Sequence, residues 1–93
     1  MLNLNDVLNI APGVVSRESD GELVVVLPEQ GKFIVLNGTG ADVFQSLDGQ
    51  RSLAEIASTL SERHDVPLER TQADVLTFAQ KLLDRGAVNV QDK

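Results

Sequence analysis

Apolar positions along this chain change their spacing once, near residue 37, from short near-continuous runs to stripes three and four residues apart. Residues 1 to 13 precede both patterns. There Leu2, Leu4, Val7, Leu8 and Ile10 make an apolar but weakly patterned N-terminal arm that stops at Pro12-Gly13. Val14 to Ser19, then Asp20-Gly21, then Glu22 to Leu27 read as a β-hairpin, because Asp-Gly readily supplies the positive φ angles of a type I′ turn. Pro28-Glu29-Gln30-Gly31 breaks the pattern with turn residues, and Lys32 to Leu36 makes a third short strand.

Three helical stripes follow. Asn37 or Thr39 can cap a helix whose Ala41, Val43, Phe44 and Leu47 share one face, with Gly49 suited to the left-handed position that ends it. Ser52 and Glu55 have capping-box spacing ahead of Leu53, Ile56, Ala57 and Leu60, which predicts a second helix reaching Arg63. Pro67 suits the start of a third helix. Its stripe is Leu68, Val75, Ala79, Leu82 and Leu83, and Gly86 ends the pattern after Arg85. Ala87 to Val90 can add a short terminal strand.

The order β-β-β-α-α-α predicts an α+β domain over residues 14 to 90, with helices packed on one face of a three-stranded antiparallel sheet. An antiparallel sheet with one wet face should alternate apolar and polar residues. Leu23 to Leu27 and Phe33 to Leu36 do not alternate. Both pleat faces are therefore apolar, while one layer of helices covers only one of them. The arm, a second copy of the chain or another partner is expected on the remaining face, which is the strongest physical hint of binding.

Composition narrows the function. A chain of 93 residues makes one domain that buries only about 60 to 70% of its unfolded surface, leaving little volume for a deep substrate pocket. The absence of cysteine removes disulfide frameworks, thiolate chemistry and cysteine-ligated metals together. Without tryptophan or tyrosine, three phenylalanines offer few platforms for stacking bases or flat cofactors. A net charge of -6 opposes binding to phosphate backbones and anionic membranes. The N-terminus lacks a basic region followed by a long apolar run, and no apolar segment nears the ~20 residues that cross a bilayer. The expectation is a cytoplasmic protein with no cofactor and no metal.

The runs Leu36-Asn37-Gly38-Thr39-Gly40-Ala41, Leu47-Asp48-Gly49, Glu55-Ile56-Ala57 and His64-Asp65-Val66, then Asp74-Val75 with Phe78 and the closing Gly86-Ala87-Val88, stand in a telling order. In that order and spacing, between residues 12 and 90, they resemble the PqqD-like family: coenzyme PQQ synthesis protein D and the wider set of precursor-peptide recognition elements. The resemblance implies a winged-helix-like domain with no enzymatic activity of its own. Such a domain holds the leader segment of a ribosomally made precursor peptide and presents it to a modifying enzyme. That enzyme would be a radical SAM enzyme in PQQ or sulfur-bridged peptide pathways, or a separate leader peptidase in lasso-peptide pathways. The acidic balance is more like stand-alone members from lasso-peptide clusters than like the PQQ-pathway members.

The resemblance further implies that the leader adds as a strand to the edge of the third strand, above a groove shared with the third helix. Physics supports this mode, since an edge offers unpaired N–H and C=O groups and alternate side chains of the guest can enter pockets. The receiving strand would be Lys32, Phe33, Ile34, Val35 and Leu36. On the helix, the stripe centred on Val75, Ala79 and Leu82 leaves Thr71, Asp74, Phe78 and Arg85 on one border, and Gln72, Leu76 and Leu83 on the other. The Phe78 border is the candidate wall, so Asp74, Val75, Phe78, Lys81, Leu82 and Arg85 are the expected peptide-binding residues. Spacing alone leaves open which of Phe33, Ile34 and Val35 donates outward.

Other chemistry is poorly supplied. His64 beside Asp65 reads as a favourable charge at a helix C-terminus, and with no second His or Cys a transition-metal site lacks ligands. Gly38-Thr39-Gly40 has neither the third glycine of a dinucleotide fingerprint nor the lysine of a P-loop. The serines lack a nucleophile elbow, and the carboxylates of Glu18, Glu22, Glu29, Asp42 and Asp48 are scattered over turns and strands. No catalytic residue is assigned. Phe33 and Phe44 read as core, and Phe78 divides evenly between core and site. Two rivals remain: a winged-helix DNA-binding regulator and a dimerising module whose apolar sheet face, or whose arm, is its own interface. Against the first, residues 68 to 85 balance Glu69, Asp74 and Asp84 with Arg70, Lys81 and Arg85.

Overall fold

The computed structural model describes residues 1–91. Strand β1 (Leu8–Ile10) comes first, then the sheet strands β2 (Val15–Ser19), β3 (Glu22–Leu27) and β4 (Lys32–Leu36), with one 3₁₀ turn, Pro28–Gln30, between the last two. Helices α1 (Gly38–Ser46), α2 (Leu53–His64) and α3 (Leu68–Asp84) follow, and β5 (Val88–Val90) closes the chain. The main sheet has the order β2-β3-β4 and is antiparallel throughout, which is the predicted α+β order of three strands before three helices.

Local chemistry accounts for most boundaries. Asp20 and Gly21 both have positive φ (51° and 81°), the type I′ geometry expected of Asp-Gly, and they close Ser19 against Glu22. Ser52 caps α2 by accepting from the Glu55 N–H while Glu55 accepts from the Ser52 N–H, a complete capping box. Helix α3 follows Pro67, and the buried Thr71 turns its hydroxyl back to the Pro67 carbonyl at 3.3 Å. Helix α1 ends earlier than predicted. Leu47 turns extended after Ser46, and Gly49, though left-handed at φ 73°, sits in the following loop, where its N–H donates to the Leu8 carbonyl.

The core gathers Val25 and Leu27 from the sheet, Val43 and Phe44 from α1, Ile56 and Leu60 from α2, and Val75, Ala79 and Leu82 from α3. Residues 1 to 13 are woven into it. Leu8 is 1% exposed and pairs through β1 with Val90, while the carbonyls of Leu4 and Asp6 accept from Ala54 and Leu53 in the first turn of α2. Those two N–H groups have no partner inside the helix, so the arm acts as a backbone cap. Leu68, expected in the stripe of α3, lies at the helix start and is 44% exposed.

Candidate functional site

In a two-residue hairpin the closing pair exchanges both hydrogen bonds, and bonded and non-bonded pairs then alternate along an antiparallel ladder. With Ser19↔Glu22 closing the first hairpin, Glu22, Val24 and Val26 direct their backbone groups to β2, and Leu23, Val25 and Leu27 direct theirs to β4. Their partners Leu36, Ile34 and Lys32 are thereby used. Phe33 and Val35 are left with N–H and C=O groups facing out from β4, and no other hydrogen bond among the described residues reaches them. Two donors and two acceptors stand open on this edge.

The side chains of β4 divide by the same alternation. Ile34 and Leu36 pack toward the core, whereas Phe33 and Val35 turn to the far face, 66% and 45% exposed. Phe33 is therefore not a core residue, contrary to expectation: a continuous apolar run conceals which members face inward. On that far face Val15, Val26 and Phe33 line up across the three strands, with Val24 and Val35 in the next row. The arm does not cover it, being committed to β5 and α2.

Helix α3 is tied at two points to residues that flank β4. At one end the Gln30 side chain donates to the Arg85 carbonyl at 2.7 Å, fixing the end of α3 to the turn that enters β4. At the other, the Phe78 ring presses on Gly40, just beyond the end of β4. Helix and strand therefore run in opposite directions, with Phe78 and Arg85 bracketing the strand. Of the expected residues, Asp74 and Phe78 are partly buried, Lys81 and Arg85 are exposed, and the Lys81 ammonium sits 5.8 Å from the centre of the Phe78 ring. Val75 and Leu82 are sealed in the core at 0% and 2% exposure. They have no surface to offer a guest and support the groove from beneath. Gly40 and Gln30 position the groove and carried only a turn signal in the sequence.

Elsewhere, His64 does not pair with its neighbour Asp65. Its Nε2 meets Asp42 Oδ2 at 2.8 Å and joins α2 to α1. Asp48 folds back on its own loop, accepting from the N–H groups of Arg51 and Gln50, which hold its carboxyl below the usual carboxylate range, with the Arg51 guanidinium adding a lesser pull. Among the described residues there is no group of three or more acidic, His or Cys side chains able to hold a metal, and no helix long and apolar enough to cross a membrane.

Residues 22–88 match the family model described as coenzyme PQQ synthesis protein D (PqqD). A PqqA binding protein from Rhizobium meliloti (strain 1021) is 32% identical over 88 residues, covering 92% of this chain and 88% of that protein. The PqqD truncation of Methylobacterium extorquens PqqCD, described as a functional and stand-alone recognition element for ribosomally synthesized and post-translationally modified peptides, matches in fold. Its TM-score is 0.82 at 22% identity, over 96% of this chain and 95% of that one. Lasso peptide synthetase B1 complexed with the leader peptide matches with a TM-score of 0.79 at 22% identity, over 88% of this chain and 96% of that one. TbiB1 in complex with the TbiA(beta) leader peptide gives 0.78 at 21% identity, over 86% and 93%.

Proposed function

Because the chain belongs to the coenzyme PQQ synthesis protein D family, we propose that it holds the leader segment of a ribosomally made precursor peptide and presents it to a processing enzyme. The observation that carries this reading is the open edge of β4 beside α3. An extended leader continues the ladder through the free groups of Phe33 and Val35 while alternate side chains enter the groove bounded by Phe78, Lys81 and Arg85. The relative that is a PqqA binding protein and the two structural neighbours bound to leader peptides support the same role.

Magnitudes assign the work. Four edge hydrogen bonds contribute about 1 kcal/mol net each, and ordering a free peptide costs roughly 2 to 5 kcal/mol. Backbone pairing thus offsets ordering and little more. Each buried apolar anchor adds about 2 kcal/mol, so the side chains in the groove decide affinity and selection, and the protein acts by binding rather than by catalysis. Its partner would be a radical SAM enzyme or a leader peptidase, and its place of work the cytoplasm, where precursors are made. With the arm committed to the fold, self-association would have to use the far sheet face.

Titration with a candidate leader peptide, against duplex DNA at low salt and with native mass measurement, tests the reading. Leader binding that shifts the Phe33 and Val35 amides is the expected result. Binding to DNA alone, or a stable dimer that ignores the leader, would reject it.

A further inference from the structure

The groove carries a charge order that the strand register turns into a sequence preference. Lys32 shares a face with its cross-strand partner Leu27, which is 3% exposed, so Lys32 rises from the helix-facing side of β4. The Arg85 backbone is held at the same end, its carbonyl accepting from the Gln30 side chain, while Lys81, one turn before it, carries its ammonium over the Phe78 ring. Among the described residues none of these three cations has an ion-pair partner. Toward the other end stand Phe78 against Gly40 and, one turn further, Asp74. Two of the eight Lys and Arg residues of a chain with net charge -6, Lys32 and Arg85, thus stand at one end of the groove, and Lys81 extends the positive side toward Phe78.

A guest bonded through Phe33 and Val35 faces Lys32, Ile34 and Leu36 in non-hydrogen-bonded pairs, where opposing side chains approach most closely. Its inward side chains then recur every second residue. Resting on strand addition at β4, we propose that the groove selects a peptide with an apolar residue opposite Ile34 and a carboxylate opposite Lys32, within reach of Lys81 and Arg85. Antiparallel addition is the more stable pairing and fixes the order along the guest. The acidic residue stands two positions C-terminal to the apolar one, an apolar-x-acidic signature. Phe78 receives the apolar side chain, and Asp74 disfavours a second acidic residue further toward the guest N-terminus.

Short synthetic peptides of one Thr-rich host, differing only as Leu-x-Asp, Leu-x-Asn, Leu-x-Lys and Asp-x-Leu, test this against the intact protein by the shifts of the Phe33 and Val35 amides. At low salt, Leu-x-Asp should bind about five-fold more tightly than Leu-x-Asn and more tightly still than Leu-x-Lys, as two or three partly exposed ion pairs allow. The differences should collapse near ~1 M salt. The double variant K81E/R85E, changed only at exposed positions, should reverse the ranking so that Leu-x-Lys leads. Equal binding by all four peptides would overturn the charge selection and leave strand addition standing. Asp-x-Leu equal to Leu-x-Asp would overturn the antiparallel order. Failure of every peptide to move the β4 amides would overturn both this inference and the strand-addition reading.

Discussion

Phe78 lies so close to Gly40 that a Cβ added at the glycine would come within 2.9 Å of the ring Cε1. The glycine is helical and has no positive φ, so the contact, not the backbone, calls for it. Alanine would gain up to about 1 kcal/mol of helix propensity and force the ring aside. Gly40→Ala should therefore leave the melting temperature nearly unchanged while weakening leader binding by about 1 kcal/mol, half the value of a buried anchor. Paired thermal melts and titrations check this; unchanged affinity would remove Phe78 from the groove.

Proline separates the two classes of β4 residue. Phe33→Pro and Val35→Pro delete a donor that faces out, so the β3 ladder survives, the protein stays folded and leader binding weakens by at least the ~1 kcal/mol of the lost bond. Ile34→Pro deletes a donor used by β3 and should lower stability by more than the ~1 kcal/mol of the lost bond, because the β3 carbonyl is left unpaired. Alanine at positions 33 and 35 controls for the lost side chains. Circular dichroism with titration reads both outcomes, and equal stability loss at all three positions would refute the assigned ladder.

The arm can be weighed at Leu8. Its side chain is 1% exposed in the shared core, and truncating a buried leucine to alanine costs about 2 to 5 kcal/mol. That approaches the whole stability of a small domain. Leu8→Ala should show a urea midpoint shifted far downward, or no folded state, whereas a detachable arm would give a shift near zero.

Asp48 sets an acid dependence. Its folded carboxyl is held below the ordinary value of 3.8, chiefly by the Arg51 and Gln50 N–H groups, so the carboxylate contributes stability that is present above pH 3.8 and lost as pH falls through the folded value. The stability gap between the native protein and Asp48→Asn should be constant from neutral pH to about pH 5 and should narrow below 3.8. Urea titrations across pH 7 to 2 measure it; a gap independent of acid would contradict the cause assigned.

Signals that act within a few residues were readable from the chain alone. The Asp20-Gly21 turn, the Ser52–Glu55 box and the apolar stripe of α3 each require only near neighbours, and each is in place. The β1–β5 pair was not readable, because Leu8 and Val90 lie at opposite ends of the chain and three residues carry too little pattern to choose a partner. The facing of Phe33 was hidden for another reason, since a run apolar on both faces has no alternation to betray it. The outward donors of β4 follow from the turn: once Asp20-Gly21 closes Ser19 on Glu22, counting across β3 reaches Phe33 and Val35.

The Leu2 amide rests on the Gln80 side chain at 3.1 Å, and β1 waits for β5. During synthesis residues 2 to 10 thus find their places only after partners some eighty positions later have been made. The sheet can assemble from adjacent hairpins early, but α2 lacks its backbone cap and the core its Leu8 until the final strand has cleared the exit tunnel. Closing contacts so distant along the chain is slow, and the nascent protein should stay open until synthesis passes residue 90.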